Sequence, residues 1–283
     1  MIAIESGDYA MTIDPTCGGS VRSLRWRGRD VLRAATEPNI LASASFALLP
    51  FCNRIIGSRF VFEGRSLRFS PNHPSDLNEP ILHGFGWTSE WESVAVEHTR
   101  AVLVLDHPPG EWPWRFTARQ EFALGHDGVE MSLALTNRAD SPMPAGLGFH
   151  PYFARDDATT LHGLHTGELL HDGSLDCRAD AIDWWRGKPV GSRIVDTTYA
   201  HREGGLIVAW PREGTAMMIN PSRELPYTHI YVPSDADFFC AEPVSHLPNA
   251  INTAPAGTGM RVLAPGECWT VSMQLRAYAL PLP

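Results

Sequence analysis

The sequence lacks an apolar run long enough to cross a membrane, a CxxC pair and an excess of basic residues. A membrane-spanning helix needs about 18 or more consecutive apolar residues, so no membrane span is predicted. The net charge of −9 argues against a nucleic-acid partner and against an anionic membrane surface, because both bind basic faces. These absences leave an enzyme or a small-molecule binding protein as the default class.

Cysteine is sparse and has no pairing pattern. The five cysteines are widely spaced along the chain: Cys17, Cys52, Cys177, Cys240 and Cys268. An odd number without a CxxC pair favours neither a disulfide framework nor a zinc–thiolate site. The first ten residues include Glu5 and Asp8 and no apolar segment, which is not the pattern of a secretion signal. A reduced, cytoplasmic protein is therefore expected.

Helical periodicity is also missing, since no amphipathic pattern extends beyond about two turns. Glycine (24 residues) and proline (23 residues) instead mark turns at short intervals. The clearest hairpin joins 114–124 to 129–136, where both arms alternate apolar and polar residues around the turn GHDG. The pattern predicts an all-β sandwich or barrel. No linker-like composition divides the chain, so a single domain over residues 1–283 is expected.

Motifs of several enzyme classes are absent as well. There is no GxSxG elbow, no phosphate loop and no dinucleotide fingerprint. His162 and His165 form an HxxH pair with His171 nearby, but no carboxylate or cysteine pattern completes a metal site. A solvated loop is the favoured interpretation of this stretch. The sequence thus predicts neither a metal nor a cofactor.

Against this background the stretch AGLGFHPYF at 145–153 stands out. Pro151 fixes its own φ angle and disfavours a helical conformation at His150, so His150 is expected at a strand end. Imidazole suits proton transfer near neutral pH. Glu242 follows an apolar run and precedes a proline, which predicts a partly desolvated carboxylate at another strand end. A carboxylate and an imidazole together can form an acid/base pair.

Two further polar residues interrupt apolar or turn-bounded context. Arg54 follows the segment LLPFCN, and His83 stands between an Ile-Leu pair and a glycine. Each of the four candidates also has a plain structural interpretation. Arg54 suits an ion pair at a strand edge, His83 a turn bonded to backbone, His150 core packing and Glu242 a surface position. The residue patterns alone leave these alternatives open.

Four segments, in order along the chain, resemble the aldose 1-epimerase (galactose mutarotase) family. They are LLPFCNRI at 48–55, LHGFGW at 82–87, the hairpin that ends in HPYF at 114–153, and AEPVSHLPNAIN at 241–252. The HPYF and E-P-x-x-x-x-P-x-A-x-N elements are the specific ones. The resemblance covers most of the chain. It implies a large antiparallel β-sandwich with an open cleft, and interconversion of the α and β anomers of a free aldose without a metal or cofactor.

The resemblance also implies residue roles. Glu242 is similar to the general base that takes the proton of the anomeric O1 hydroxyl, and His150 to the general acid that protonates the ring oxygen. Arg54 and His83 resemble groups that bond the sugar hydroxyls or the ring oxygen. Because one proton is removed and one delivered on opposite sides of the ring, Glu242 and His150 are expected on different parts of the cleft.

The family also places a substrate-binding aspartate between the HPYF element and the glutamate. Asp196, in RIVDTTYAH, is the best candidate for this aspartate. Three other aspartates lie in the same region: Asp172, Asp176 and Asp183.

The substrate remains open between three alternatives. The chain is short for the galactose-specific branch, so a neutral aldose is the first expectation and a hexose 6-phosphate or other anionic sugar the second. The arginines that an anion pocket would use form no clear cluster: Arg59, Arg65, Arg68 and Arg115. A non-catalytic carbohydrate-binding protein of the same fold is the third alternative.

In every case the expected partner is a monosaccharide, and the expected state is a monomer or homodimer. Four tryptophans are candidates for stacking on a sugar ring, although core packing is favoured for each: Trp87, Trp112, Trp114 and Trp184.

Overall fold

A computed structural model of the chain describes residues 1–170, 174–177, 186–190, 194–253 and 260–281. Four of the candidates named above lie outside the described residues: His171, Asp172, Asp183 and Trp184.

The described part of the chain is built almost entirely of strands, as the turn signals predict. The strands are β1 (Ile2–Ser6), β2 (Tyr9–Asp14), β3 (Ser20–Trp26), β4 (Arg29–Asp30), β5 (Ala47–Leu48), β6 (Arg59–Phe62), β7 (Arg65–Arg68), β8 (Glu92–Glu97), β9 (Arg100–His107), β10 (Phe116–Gly125), β11 (Gly128–Asn137), β12 (Met143–Ala145), β13 (Gly148–Phe149), β14 (Tyr152–Ala154), β15 (Thr160–Leu169), β16 (Leu175–Asp176), β17 (Arg186–Pro189), β18 (Val195–Trp210), β19 (Thr215–Pro221), β20 (Tyr227–Val232), β21 (Phe238–Val244), β22 (Arg261–Leu263) and β23 (Cys268–Ala279).

The helices of the described residues are single 3-10 turns. They are Ile40–Ala42, Ile56–Ser58, Gly86–Thr88, Pro211–Glu213 and Ala250–Asn252. None of them has the length and apolar character that crossing a bilayer would require.

One large sheet dominates the structure. Its strands follow the order β5-β13-β21-β20-β18-β19-β23-β11-β10-β9-β8, with β14 added beside β21 and with β15, β16 and β17 joined through β18. A second sheet has the order β1-β2-β3-β4, and two short ribbons pair β12 with β22 and β6 with β7. Neighbouring strands in these sheets run antiparallel.

The hydrophobic core lies between the large sheet and the four-stranded sheet. The predicted hairpin is confirmed as β10 and β11, which pair from Phe116 opposite Asn137 to Gly125 opposite Gly128. Every second side chain of both strands is buried, as period-two alternation dictates. Phe122 and Met131 thereby join the same core cluster as Met11 of β2. The architecture is the expected large antiparallel sandwich.

The HxxH pair lies in a strand, so the interpretation of this stretch as a solvated loop is wrong. His162 and His165 belong to β15, which pairs with β18 through a register shift between His162 and Leu164. His165 is buried and lies 2.9 Å from the hydroxyl of Thr228, measured from its Nε2 atom. Among the described residues, the one group of three spaced like metal ligands includes neither histidine.

Three adjacent strands of the large sheet, β18, β20 and β21, form the floor of the candidate site. The segment 148–154 lies along the other side of β21, with Gly148 opposite Val244 and Tyr152 opposite Cys240. The segments around 49–54 and 82–84 cover the end of this floor and are joined by isolated bridges between Leu49 and Gly84 and between Arg54 and Leu82.

Candidate active site

The five residues predicted from the sequence line one cavity of about 290 Å³. They are Arg54, His83, His150, Asp196 and Glu242. The cavity is completed by eight more residues: Leu41, Asn53, His73, Leu82, Tyr152, His229, Tyr231 and Phe238. Their arrangement is a geometric fact, whereas their catalytic and binding roles stay predictions.

His150 lies between the two short strands β13 and β14, which is the strand-end position expected from Pro151. Its backbone N–H donates to the carbonyl of Phe46. Its ring packs against Phe46 and Tyr152, with ring centroids 4.5 and 4.7 Å away. Burial lowers the pKa of His150 to about 3. Tyr152 both stacks on this imidazole and lines the cavity.

Glu242 lies inside β21 and not at its end, because the strand continues through Pro243 to Val244. Proline is tolerated there since the strand on one side of β21 is interrupted at residues 150–151, between β13 and β14. The carboxyl group of Glu242 is almost wholly buried. Burial raises the pKa of Glu242 to about 7, against the opposing effect of His229.

The two candidate proton-transfer groups are in contact, so the expectation that they occupy different parts of the cleft is wrong. The Nε2 atom of His150 lies 3.3 Å from Oε1 of Glu242. The physical reason is the strand register, which sets the 148–154 segment directly beside β21. Anomeric O1 and the ring oxygen share one carbon atom, so two adjacent groups can reach both.

This pair carries one mobile proton over a wide pH range. The pair contains the same number of protons in two arrangements. In one, Glu242 is protonated and His150 is neutral; in the other, Glu242 is ionised and His150 is an imidazolium. They are therefore two forms of one protonation state. With pKa values of about 7 and about 3, the pair holds that proton between about pH 3 and about pH 7. A pair with one shared proton can deliver a proton at one atom while removing another nearby.

His83 is held in the left-handed backbone region, with a φ angle of 56°. The backbone N–H of Asn53 donates to its Nδ1 atom at 3.1 Å, so the turn interpretation also describes it correctly. Burial keeps the pKa of His83 well below its ordinary value, so the ring is neutral. Because Nδ1 accepts a hydrogen bond, the proton of the neutral ring is on Nε2. His83 is therefore a fixed donor.

Arg54 forms an ion pair, as the structural interpretation of this residue predicts, although it also lines the cavity. Its Nε atom donates to Oε2 of Glu79 at 2.9 Å. Both side chains are a little over a third exposed. Glu79 lies in a polar loop that carries no sequence signal of a site.

Asp196 lies near the start of β18, and its side chain contacts a residue that sequence reasoning missed. The Oδ1 atom of Asp196 is 3.2 Å from Nε2 of His229. This contact holds the pKa of Asp196 below its ordinary value. His229 lies on β20 in the segment YTHIYV, where it follows the same alternation as Tyr227 and Tyr231. The signal that would have found it is a lone imidazole on one face of an apolar strand.

One group of side chains has the spacing of a metal site. The ligand atoms of His83, His150 and Glu242 lie within 4.8 Å of one another. A metal-bound imidazole normally donates its second nitrogen to an acceptor. In His83 the second nitrogen accepts the N–H of Asn53, which puts a proton on the nitrogen that would face a metal. The donor set therefore does not fit a metal ion.

The other sequence candidates lie elsewhere. Trp87, Trp112 and Trp114 are buried, and none of them lines the cavity. Arg59 and Arg68 line a separate groove beside β6 and β7. Two more arginines and one aspartate are also outside the cavity lining: Arg65 on β7, Arg115 bonded to Asp106, and Asp176 on β16.

Comparisons with known proteins match almost the whole chain. A family model of aldose 1-epimerases matches residues 1–276. An uncharacterized protein of Escherichia coli K12, YphB, is 31% identical over 282 residues, which cover 94% of this chain and 96% of that protein. The structure of a candidate aldose 1-epimerase from Escherichia coli K12 superposes with a TM-score of 0.90 at 28% identity, covering 99% of both chains. A galactose mutarotase-like protein of Clostridium acetobutylicum, 18% identical, shares the fold with a TM-score of 0.84 over 98% of this chain and 95% of that one.

Proposed function

Since the chain belongs to the aldose 1-epimerase family, we propose that it interconverts the α and β anomers of a free, neutral aldose. Family and fold together support a mutarotase-type isomerase. The single observation that carries the residue assignment is the contact of 3.3 Å between Nε2 of His150 and Oε1 of Glu242 inside a cavity lined by hydroxyl-binding groups.

The proposed reaction begins with Glu242 ionised and His150 protonated. Glu242 takes the proton of the O1 hydroxyl while His150 gives its proton to the ring oxygen. The bond between C1 and the ring oxygen breaks, and an open-chain aldehyde forms. After rotation about C1–C2, His150 takes a proton from the former ring hydroxyl and Glu242 returns one to the carbonyl oxygen. The ring closes on the other face, and the pair regains its starting state.

The remaining cavity residues are assigned to holding the sugar. His83 presents a fixed Nε2–H donor, and the guanidinium of Arg54 has donors left beyond its bond to Glu79. Asp196 is an acceptor at the outer edge of the site, with its side chain about half exposed. Donors and acceptors around the ring would hold the open-chain form until it recloses. Holding the reacting groups in position in itself favours ring closure.

The charge of the cavity supports a neutral sugar. Arg54 is the one arginine among the described lining residues, and Glu79 already pairs with it. Asp196 and Glu242 contribute two carboxyl groups to the same lining. A phosphorylated sugar would therefore meet two carboxyl groups and no unpaired arginine among these lining residues.

The test is exchange between anomers measured by NMR magnetisation transfer, with a panel of neutral aldoses and glucose 6-phosphate. We expect wild-type exchange on neutral aldoses, and losses on the order of 10²–10⁴-fold in Glu242→Gln and in His150→Asn. His165→Asn is the matched control, because His165 is an equally buried imidazole outside the cavity lining.

Other outcomes would overturn the proposal. Equal rates in wild type, Glu242→Gln and His150→Asn would remove the acid/base assignment. Sugar binding without catalysed exchange would make the chain a carbohydrate-binding protein. Exchange confined to glucose 6-phosphate would favour the anionic-sugar alternative.

A further inference from the structure

The cavity contains a buried imidazole to which the proposed reaction assigns no step. His229 is 6% exposed and stands on β20, between β18 and β21. Its backbone is opposite Thr198 of β18 on one side and opposite Glu242 of β21 on the other. Directly opposite residues on one face of an antiparallel sheet have neighbouring side chains. His229 therefore stands in one row with Thr198 and Glu242.

Asp196 is two residues before Thr198 on β18, so it projects from the same face of the sheet. The Nε2 atom of His229 is 3.2 Å from Oδ1 of Asp196. The imidazole thus has one carboxylate within hydrogen-bond distance and a second on the neighbouring strand. Both belong to the cavity lining.

Both ring nitrogens of His229 face oxygen atoms. Nε2 faces Asp196, and Nδ1 lies 2.9 Å from the hydroxyl of Thr198. Nε2 also lies 3.4 Å from Nδ2 of Asn53, a longer contact than the one to the carboxylate. This environment is compatible with a proton on each ring nitrogen. The other two buried imidazoles of the cavity differ, since Nδ1 of His83 accepts a backbone N–H and Nδ1 of His150 has no hydrogen-bond partner.

Without a cation at the position of His229, the negative charges of the carboxylates around it would not be balanced. The titratable and charged groups that share its cavity come from every element packed around it: Asp196 on β18, Tyr231 on β20, Glu242 on β21, Tyr152 on β14, His150 beside β21, and Arg54, His73 and His83 in the covering loops. Burial works against a charged His229, but Glu242 and Asp196 outweigh burial and raise its pKa. Arg54 has the opposite effect and is itself paired with Glu79.

We propose that His229 is a positioning residue which, as an imidazolium paired with Asp196 and placed opposite Glu242, favours the ionised form of both carboxylates in one buried cavity. Its role in catalysis rests on the proposed function, whereas its charge state is a property of the protein without sugar. His229 hands no proton to the substrate in this scheme. It sets the pH at which the pair of His150 and Glu242 gives up its shared proton.

The charge state is tested on the sugar-free protein by ¹³C NMR titration of labelled histidine rings and glutamate carboxyl groups. We expect His229 to titrate above the ordinary pH for histidine. In His229→Gln, Glu242 should titrate about one pH unit or more higher, because an opposite charge at close range moves a carboxyl pKa by about one to three units. Thr198→Val is the control, since it removes a neutral partner of His229 and leaves the charge in place.

Two results of this titration would overturn the proposal. One is a His229 ring that stays neutral down to acidic pH. The other is a Glu242 carboxyl that titrates at the same pH in wild type and His229→Gln. If His229→Gln does not fold, His229→Asn and the Asp196→Asn variant address the same question, because Asp196→Asn should lower the pKa of His229.

Rate measurements then distinguish an effect of the charge of His229 from an effect of its packing. In His229→Gln, the alkaline limb of the pH–rate profile should move upward by the same shift as the Glu242 carboxyl. A packing role would lower the rate equally at all pH values without moving the limb. If wild type shows no anomer exchange, the proposed function fails, but the titration still decides the role of His229.

Discussion

Arg54 donates from Nε to Oε2 of Glu79 at 2.9 Å, so the arginine that reaches the cavity is charge-paired before any sugar enters. The partner stands on a loop outside the cavity lining. We therefore expect Glu79 to influence how much positive charge Arg54 offers to a substrate.

Glu79→Gln is expected to shift preference toward anionic sugars. The ratio of kcat/KM for glucose 6-phosphate to that for glucose should rise by at most about fivefold, since a pair of this exposure is worth under about 1 kcal/mol. Exchange NMR with both sugars measures the ratio. Glu111→Gln is the matched control, because Glu111 bonds Ser70 at the start of the same loop. An unchanged ratio in Glu79→Gln would show that Glu79 does not tune specificity.

The rate of anomer exchange should fall on the alkaline side of neutrality. The pair of His150 and Glu242 holds its shared proton up to about pH 7, and loses it above that pH. Without this proton the ring oxygen receives none, so the catalysed rate should drop about tenfold per pH unit. The uncatalysed rate is subtracted at each pH. A rate that keeps rising from pH 7 to 9 would mean that only ionised Glu242 is needed.

Glu242→Gln should stabilise the protein at alkaline pH while abolishing most of its activity. The folded state raises the pKa of Glu242 to about 7 from an ordinary value of 4.5. The contribution of Glu242 to the free energy of unfolding is fully present below its ordinary pKa. It falls by up to about 3 kcal/mol as the pH rises through 7. The variant lacks this loss, so its unfolding free energy relative to wild type should increase between pH 4.5 and 8. Urea unfolding at several pH values measures the difference.

The control for this measurement is Glu121→Gln. Glu121 has its pKa lowered by Arg100, which is the opposite direction. Its variant should show no gain toward alkaline pH. A Glu242→Gln variant whose relative stability is independent of pH would contradict the raised pKa.

Gly84→Ala should displace His83 and weaken sugar binding. Gly84 has a φ angle of +72°, and a Cβ atom there would lie 2.0 Å from the carbonyl oxygen of Leu49. Gly64→Ala is the matched control, since Gly64 has a φ angle of +78° and no atom near an added Cβ. Both variants incur the strain of the left-handed region, about 1–2 kcal/mol. Only Gly84→Ala should lose more stability than this and raise KM. Equal losses in thermal unfolding and equal KM would refute the close-contact argument.

The sequence predicted the parts of the fold that depend on local chemistry. The alternation on both sides of GHDG defined the hairpin of β10 and β11, and Pro151 correctly placed His150 at a strand end. The long strand β15 was missed because its glycine and histidine residues and its bulge against β18 break the alternation.

Contacts that depend on strand register could not be predicted from the sequence. The contact between His150 and Glu242 arises because Tyr152 pairs with Cys240, and no local pattern specifies that pairing. His229 was missed for a related reason, since its partners Asp196 and Thr198 come from another strand. Glu79 lies in a loop without periodicity, so only the folded chain reveals that it bonds Arg54.

Around the interruption between β13 and β14, the residues of the site are held in place in two different ways. His150 and Glu242 are anchored by the backbone ladder of the large sheet, whereas Arg54, His83 and Glu79 are presented by the segments that cover it. If the proposed roles hold, we expect strand register to set the proton-transfer geometry, and the covering segments to set the part of substrate preference that depends on Arg54, His83 and Glu79.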